Sequence, residues 1–451
     1  MLGKEKLFEI VDNVIRASES DGVEVVIFTE TSNLTRYAES RIHQNLSIEN
    51  VSLGVRSRFG NKAGVAWTDR IDREGIISVV RRSEKIAEQM LEDEELPPLE
   101  PAKEIQMPQN TFFETTANYT PRQRAEAVAK IIETLSPYRA FGAFVTSISE
   151  LVIGNSLGLK LYHIVTAADI SAVGFGERGG TGWAEMSNPD VSKIDPQRVA
   201  ERTRRKIELS EDPIEIEPGE YTVIFEPLAV SEFFAMASWL GFSAKSYQEG
   251  RSFLVGKLGQ KVFDSKLTLV DDPFNEQIYP IAFDYEGVAK QKLTLIENGV
   301  AKNLAYDKRT AAKEGKQSTG HCAWPFESSP YASHLVLKQG DETMQSLVES
   351  TEKGILVTLL HYVNVVDPKS FTLTGMTRGG TFLIENGKIV KGVKNLRFTQ
   401  SMFEALGEVE GISREREVVG TVGWYHIRFP YGTLMPAIKV KKFKFTGKTE
   451  F

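Results

Sequence analysis

Apolar and polar positions alternate through most of the first 70 residues, after a short segment with helical spacing. Leu7, Ile10, Val11, Val14 and Ile15 recur at intervals typical of a helix, which predicts an N-terminal helix. From residue 23 to residue 69 the apolar positions recur at every second residue, with a turn in "SRFGNKAG", so strands are predicted there. The segment "REGIISVVRRSEKIAEQMLED" then predicts a second helix.

The rest of the chain carries one clear helix start and several turn signals. Thr120 before Pro121 provides an N-cap followed by proline at the first helical position. The segments "LTLIENGVAKNLAYD" and "TFLIENGKIVKGVKN" both place Asn-Gly between apolar runs, which predicts two tight hairpins. The segment "GFGERGG" satisfies G-x-G-x-x-G, but no helix start follows it. We therefore predict a hairpin or loop tip there, and not a dinucleotide site.

These elements predict an α+β fold with two domains. A mixed α/β N-terminal domain is expected over residues 1–200, and a β-rich C-terminal domain over residues 201–451. An acidic, proline-containing segment near residues 91–112 is expected to be an extended connector, with its "EDEEL" run in solvent.

Composition and charge exclude several classes of function. The net charge of −7 and the pI near 5.7 argue against broad binding to nucleic acid or to an anionic membrane. The single cysteine, Cys322, allows neither a disulfide framework nor a cysteine-based zinc cluster. With no signal-peptide pattern and no apolar run of membrane-spanning length, we expect a cytoplasmic protein.

Few residues are arranged for chemistry at the level of local sequence. His321 and Cys322 are adjacent, and neighbours on an extended chain point in opposite directions, so they form a poor chelating pair. Asp271 and Asp272 follow an apolar run and could act as an acid, a base or a ligand. We expect them instead to be solvated residues at a strand end. The other histidines lie singly, as His361 does.

The order of several segments resembles the TldD/PmbA family, once described as modulators of DNA gyrase. The matching segments are "GEYTVIFEPLAVSEFF", "EGRSFLVGKLGQKVFDSKLTLVDDP", "AFDYEGVAKQKLTLIENGVAKNLAYD" and "FPYGTLMPAIKVKKFKF". The resemblance implies a metalloprotease made of two related subunits, TldD and TldE (PmbA), that acts on peptides and unfolded segments, including peptide maturation. In that family the catalytic TldD subunit carries H-E-x-x-x-H and a C-terminal cysteine, which suit zinc and an activated water.

The zinc motif of that family is absent from this chain. Counted without gaps, its two histidines fall on Ala235 and Leu240, its glutamate on Met236, and its cysteine near Val422. The resemblance is therefore closest to the non-catalytic TldE/PmbA side. We expect no cofactor in this chain, and zinc in a partner subunit.

The main hypothesis is a supporting subunit for a TldD-like catalytic chain, with a homodimer as a further possibility and a peptide or unfolded protein as substrate. The strand-rich domain would hold the peptide by strand addition. Residues expected to line that channel are Gly250, Arg251, Ser252, Trp424 and His426. The alternative is an independent metallopeptidase with a rearranged site that uses His426, His361 or the Asp271–Asp272 pair. A DNA-binding role in gyrase modulation is the least favoured hypothesis.

Overall fold

The computed structural model describes residues 1–421 and 429–449. The α+β fold class is confirmed. Each half of the chain builds its own sheet, with helices packed on it. Across the described residues, no helix combines the length and the apolar composition that a membrane crossing requires.

The first sheet is antiparallel and has the strand order β3-β2-β1-β4-β5-β6. Its strands are β1 Gly22–Ala38, β2 Arg41–Phe59, β3 Lys62–Thr68, β4 Arg139–Asn155, β5 Lys160–Phe175 and β6 Thr181–Asn188. The helices of this half are α1 Lys4–Ala17, α2 Arg73–Gln89, α3 Glu114–Ala117, α4 Pro121–Leu135 and α5 Pro196–Ser210, with a 3₁₀ turn at Val191–Lys193.

The second sheet is mixed and more irregular. Its main strand order is β10-β9-β8-β11-β17-β15-β13-β12-β7, while β14 pairs with β13, β16 with β17, and β17 also with β7. The strands are β7 Gly219–Phe225, β8 Leu269–Asp271, β9 Leu293–Glu297, β10 Val300–Ala301, β11 Leu335–Leu337, β12 Lys353–Asp367, β13 Thr372–Glu385, β14 Lys388–Gly392, β15 Leu396–Ser401, β16 Val409–Thr421 and β17 Tyr431–Lys448. The helices are α6 Pro227–Leu240, α7 Ala244–Gln248, α8 Lys308–Lys313, α9 Met344–Glu349 and α10 Met402–Ala405.

Local sequence signals account for the ends of several elements. Helix α4 begins with a capping box in which Thr120 and Gln123 each bond the other's backbone N–H. The two predicted Asn-Gly hairpins are confirmed as β9–β10 and β13–β14. Their turns have positive φ at both residues, 47° and 80° at Asn298 and Gly299, as tight hairpins of this kind require. The "GFGERGG" segment is the predicted hairpin tip, between β5 and β6.

The last strand of the first sheet, β6, ends at Asn188, and the first strand of the second sheet, β7, begins at Gly219. Helix α5, which contains the predicted boundary at residue 200, packs on β5 and β6 of the first sheet and also contacts β13 and β14 of the second. It therefore lies at the junction of the two halves.

The connector between α2 and α3 is tied to the second half of the chain. The "EDEEL" run was expected to be only solvated, and this was wrong in part. Asp93 pairs with Arg309, and Glu95 lies 2.9 Å from Nζ of Lys313. The positive charges of Arg309 and Lys313 on α8 explain this attachment. Because α8 is remote in the sequence, the local pattern around residue 93 did not indicate it.

A second attachment comes from the loop after Cys322. The Phe326 ring lies 5.6 Å from the ring of Trp67 and 5.3 Å from the guanidinium of Arg56. Gly54 lies beneath this contact, since a Cβ there would approach Trp67 to 2.6 Å and Phe326 to 2.8 Å. Phe326 thus connects the second half of the chain to the first sheet.

Candidate functional site

Helix α6 is the element on which the family resemblance places a metal site. It starts with Pro227 at the first helical position and ends at Gly241, so its limits follow from its sequence. Phe233 and Phe234 are buried in the main core of the second domain, where Phe233 packs edge-on against Phe225 at 4.9 Å. Helix α6 is therefore held firmly against β12 and β17.

One face of α6 remains open. Its residues share spacings of three and four, so they lie on one side of the helix. We call this face the open stripe; its members are partly or largely exposed, and they are Leu228, Glu232, Ala235, Met236 and Trp239. Trp239 is 60% exposed. The open stripe includes two of the three zinc-motif positions of the helix, Ala235 and Met236.

The third zinc-motif position of the helix points elsewhere. Leu240 is 8% exposed and belongs to the main core, while Met236 packs against that core from the open side. None of these side chains is an imidazole, a carboxylate or a thiolate, so they do not fit a zinc ion. Over residues 1–421 and 429–449, no group of three His, Cys, Asp or Glu side chains could hold a metal ion. Val422 lies outside the described residues.

Strand β6 brings a second carboxylate to the same region. Glu185 is partly buried and accepts a hydrogen bond of 3.1 Å from the indole N–H of Trp183. Burial raises the pKa of Glu185 to about 7; the bond from Trp183 opposes this shift, and the charges of Asp169, Glu417 and Glu232 add to it. Burial also raises the pKa of Glu232. The charge of Glu232 thus contributes only a small part of the shift at Glu185.

Two ion pairs lie near Glu185 and its neighbour Trp183. Lys206 Nζ is 2.5 Å from Oε2 of Glu226, the residue that precedes α6, and it also donates to the carbonyl of Trp183. Arg202 Nη1 is 2.9 Å from Oε1 of Glu417 on β16. Both cations come from α5, so this helix supplies positive charge to the junction.

A separate polar cluster surrounds Asp271. His321 Nε2 forms a hydrogen bond of 2.7 Å with Oδ2 of Asp271, and the backbone N–H of His334 donates to Oδ1 at 2.6 Å. All three residues are buried. Asp271 was expected to be solvated, and this was wrong, because a histidine 50 residues later in the chain covers it. Asp272 instead pairs with Lys292 at 2.6 Å.

The charge state of Asp271 follows from these contacts. Burial by itself raises the pKa of this carboxyl, but the hydrogen bond and charge of His321, with Lys290, bring it below its usual range. Burial, followed by the charge of Lys290, lowers the pKa of His321, and the same two causes lower the pKa of His334 to about 4. Since His321 and Asp271 are completely buried, they cannot meet a substrate, and we assign them a structural role.

Cys322 is also a structural residue. It is buried, and its Sγ lies 3.3 Å from each of the carbonyl oxygens of Trp324 and Glu327. Burial, followed by the nearby charge of Glu286, raises the pKa of this thiol well above its usual value. A thiol of this kind is not a nucleophile at neutral pH.

The residues expected to line a peptide channel fall into two groups. Gly250, with φ of 69°, and Arg251 follow α7, and Arg251 pairs with Glu249. Ser252 is buried, and its hydroxyl donates to the carbonyl of Gly241 at 2.8 Å. Trp424 and His426 lie outside the described residues.

His361 of the alternative metal site lies on β12, with its ring 4.4 Å from that of Tyr362. Burial lowers its pKa, and the charge of Arg378 adds to this shift.

Sequence reasoning missed Glu185 and Glu232 as members of the site. A signal was present for Glu232, since it precedes Ala235, Met236 and Trp239 at spacings of three, four and seven. Glu185 gave no comparable signal, because its burial and the nearby charges of Asp169 and Glu417 come from other elements of the fold.

Comparisons with known proteins bear on this site. Residues 218–447, just over half of the chain, match the family described as the PmbA/TldA metallopeptidase C-terminal domain. A protein named "Metalloprotease" from Methanothermobacter thermautotrophicus is 26% identical over 326 residues, 70% of each chain. A "Metalloprotease TldD homolog" from Buchnera aphidicola is 22% identical over 460 residues, 91% of this chain and 92% of that one. The crystal structure of TldE from Thermococcus kodakarensis matches with a TM-score of 0.86 at 22% identity, covering 97% of this chain and all of that one.

Proposed function

The chain belongs to the PmbA/TldD metallopeptidase family, and within it we propose that the chain is a non-catalytic, TldE/PmbA-like subunit. In this proposal it supports a TldD-like partner that holds zinc and cleaves peptides or unfolded segments, as in the maturation of peptides, in the cytoplasm. The chain also walls part of the substrate channel.

The observation that supports the proposal is the apolar chemistry of α6 at the positions that match the family's zinc motif. A catalytic subunit of the resembled family needs imidazoles and a glutamate on this helix, and the chain has Ala235, Met236 and Leu240 there. At Leu240, which is buried, an apolar residue avoids a buried polar group without a partner, which would cost about 1–3 kcal/mol. The helix thereby keeps its packing without a metal.

In this proposal the residues of this chain bind and orient the substrate, and the partner subunit cleaves it. The open stripe of α6 is a partly apolar surface to which an extended peptide can dock. In that role Trp239 and Met236 supply apolar contact area, while Glu232 adds a negative charge.

The test is to measure zinc content and cleavage of an unfolded protein substrate for the chain alone and for the chain mixed with a TldD-like partner. We expect neither zinc nor activity in the chain alone, and chelator-sensitive activity in the mixture. Replacing the motif glutamate of the partner by glutamine should abolish that activity, while Glu208→Gln, at an exposed position on α5 of this chain, should preserve it. Stoichiometric zinc and chelator-sensitive cleavage by this chain alone would contradict the proposal.

A further inference from the structure

We infer that a cavity beneath the connector binds a carboxylate attached to an apolar group, and that Lys290 receives the carboxylate. The cavity has a volume of about 590 Å³ and lies between residues 104–109 and residues 274–290. We call it the connector cavity. The inference goes beyond the proposed function and does not depend on it, since it requires neither a partner subunit nor a metal ion.

The size and the lining of the connector cavity suit a small molecule or the end of a peptide. Ligand pockets in proteins measure about 300–1,000 Å³ and combine mostly apolar walls with a few polar groups. The apolar side chains of this cavity come from both of its sides, and they are Ile105, Met107, Phe274, Ala282 and Ala289. The two alanines face the cavity with small side chains, which leaves room for an apolar ligand group.

Lys290 places a positive charge in the wall of this cavity. Its backbone N–H donates to the carbonyl of Ala282 at 2.8 Å, which fixes its position beside the apolar walls. The residue is only 8% exposed, and within the described part of the chain its ammonium group forms neither a hydrogen bond nor an ion pair. A cation that loses water without gaining an acceptor is poorly stabilised, and a carboxylate in the cavity would supply that acceptor.

Two buried carboxylates act electrostatically on Lys290, namely Asp271 and Asp284, but their oxygens are engaged elsewhere. Those of Asp271 are held by His321 and His334, and those of Asp284 accept backbone N–H groups at 2.9–3.0 Å. Because Coulomb energies fall with distance, direct contact between the ammonium and a ligand outweighs each of these longer-range effects. The N–H donors of Lys290 thus remain available to a ligand.

Two further acidic residues narrow the choice of anion. Glu104 and Glu276 also line the cavity and are exposed, and Glu276 accepts a hydrogen bond of 3.1 Å from the side-chain amide of Asn110. Solvent screens both charges, so a single negative charge can still be held at Lys290, whereas a doubly charged phosphate is disfavoured. With the apolar walls, this favours a monocarboxylate, which a peptide supplies at its C-terminus or in an acidic side chain.

The experiment uses the whole chain and dipeptides that carry an environment-sensitive dansyl group at the N-terminus. The first is dansyl-Leu-Leu with a free terminal carboxylate, and the second is the same dipeptide as its C-terminal amide. The third, dansyl-Leu-Glu amide, offers a carboxylate in the side chain only. Affinity is read from the dansyl fluorescence as the chain is added, and inorganic phosphate is tested as a competitor.

We expect at least one of the two carboxylate ligands to bind about 10-fold more tightly than the neutral amide, and the tighter one identifies the source of the carboxylate. Lys290→Met should remove this preference, whereas Lys290→Arg should retain it, because a guanidinium also pairs with a carboxylate. Ala289→Phe fills the cavity and should weaken the binding of all three ligands. The control Lys292→Met removes the same charge from an exposed lysine two positions later, and it should change none of the affinities.

Equal binding of the carboxylates and the amide would overturn the inference, as would a preference that survives in Lys290→Met. Absence of binding by the parent chain, or displacement of the dipeptides by phosphate at equal concentration, would also overturn it. Thermal unfolding shows whether each variant folds. If Lys290→Met does not fold, Lys290→Arg, Ala289→Phe and the three ligands on the parent chain still decide the question. None of these results involves zinc or a partner, so they are separable from failure of the proposed subunit role.

Discussion

The Nε2 atom of His321 lies 2.7 Å from Oδ2 of Asp271, and neither side chain is exposed to solvent. The other oxygen of Asp271 accepts the backbone N–H of His334, so this carboxylate joins the loop around residue 321, strand β8 and the start of β11. Both oxygens of this buried carboxylate have hydrogen-bond partners, so the loss of its negative charge should lower the stability of the fold.

Asp271→Asn should lower the free energy of unfolding by about 2–3 kcal/mol, because it removes the buried negative charge that accepts hydrogen bonds from His321 and from the backbone of His334. Denaturant unfolding at pH 7 measures this change. The matched control is Asp272→Asn at the next position, where the partner Lys292 is exposed, and a change below about 1 kcal/mol is expected. Equal effects of the two substitutions would contradict the structural role of Asp271.

His163 is expected to lower stability in acid. Its Nε2 atom is buried without a hydrogen-bond partner in the described structure, and burial, with His334 nearby, lowers its pKa to about 3 from 6.5. Below about pH 6.5 the unfolded chain therefore binds a proton at His163 that the folded chain does not bind. The free energy of unfolding thus falls as the pH drops from 6.5 towards 3.

His163→Phe should reduce this acid sensitivity, since the ring lies near Phe283 and Phe429 and needs no polar partner. At pH 7 the variant should be as stable as the parent or more stable by about 1 kcal/mol. Thermal unfolding between pH 4.5 and 7.5 tests both statements. His43→Gln, at an exposed histidine, should leave the pH dependence unchanged; an identical flattening there would show that the effect does not come from burial.

The difference between what could and could not be predicted from sequence lies in the range of the interactions. The capping box at Thr120 and the turn at Asn298–Gly299 involve residues within four positions, so their sequences were sufficient. Asp271 is next to Asp272 and a proline, which locally indicates solvent. Its burial depends on His321, and nothing near Asp271 in the sequence indicates that partner.

The same reasoning applies to the candidate site. The apolar character of α6 was readable from the sequence. The raised pKa of Glu185 was not, because its burial and the charge of Glu417 depend on residues far away in the sequence. Sites that form between domains depend on contacts that a local pattern does not contain.

Phe326→Ala should loosen the junction between the domains. The substitution removes the ring that lies between Trp67 and Arg56, and we expect a loss of about 2 kcal/mol in the free energy of unfolding. Limited proteolysis should also cut the loop around residue 326 faster. Phe274→Ala, at an exposed phenylalanine, should change stability by less than about 0.5 kcal/mol. If both variants behave alike, the Phe326 contact does not hold the domains together.

Glu185→Gln should stabilise the ligand-free chain at alkaline pH. The folded pKa of about 7 exceeds the ordinary value of 4.5, so stability is lost as the pH rises through this interval. Glutamine cannot ionise, and a gain of about 1–2 kcal/mol at pH 8 is expected, with no gain at pH 4. Unfolding curves at the two pH values measure it. An equal gain at both would indicate better packing and not a change in ionisation.

Leu240→His and Ala235→His test the packing of α6 from opposite sides. Leu240 is in the main core, so an imidazole there is buried without a designed partner and should cost about 2–4 kcal/mol. Ala235 lies on the open stripe, where histidine can reach solvent and should cost less than about 1 kcal/mol. Thermal unfolding with and without zinc measures both effects. If histidine is tolerated at residue 240, or if zinc strongly stabilises the variant with both histidines, then α6 still supports a metal site. The burial of Leu240 predicts that neither result will be seen.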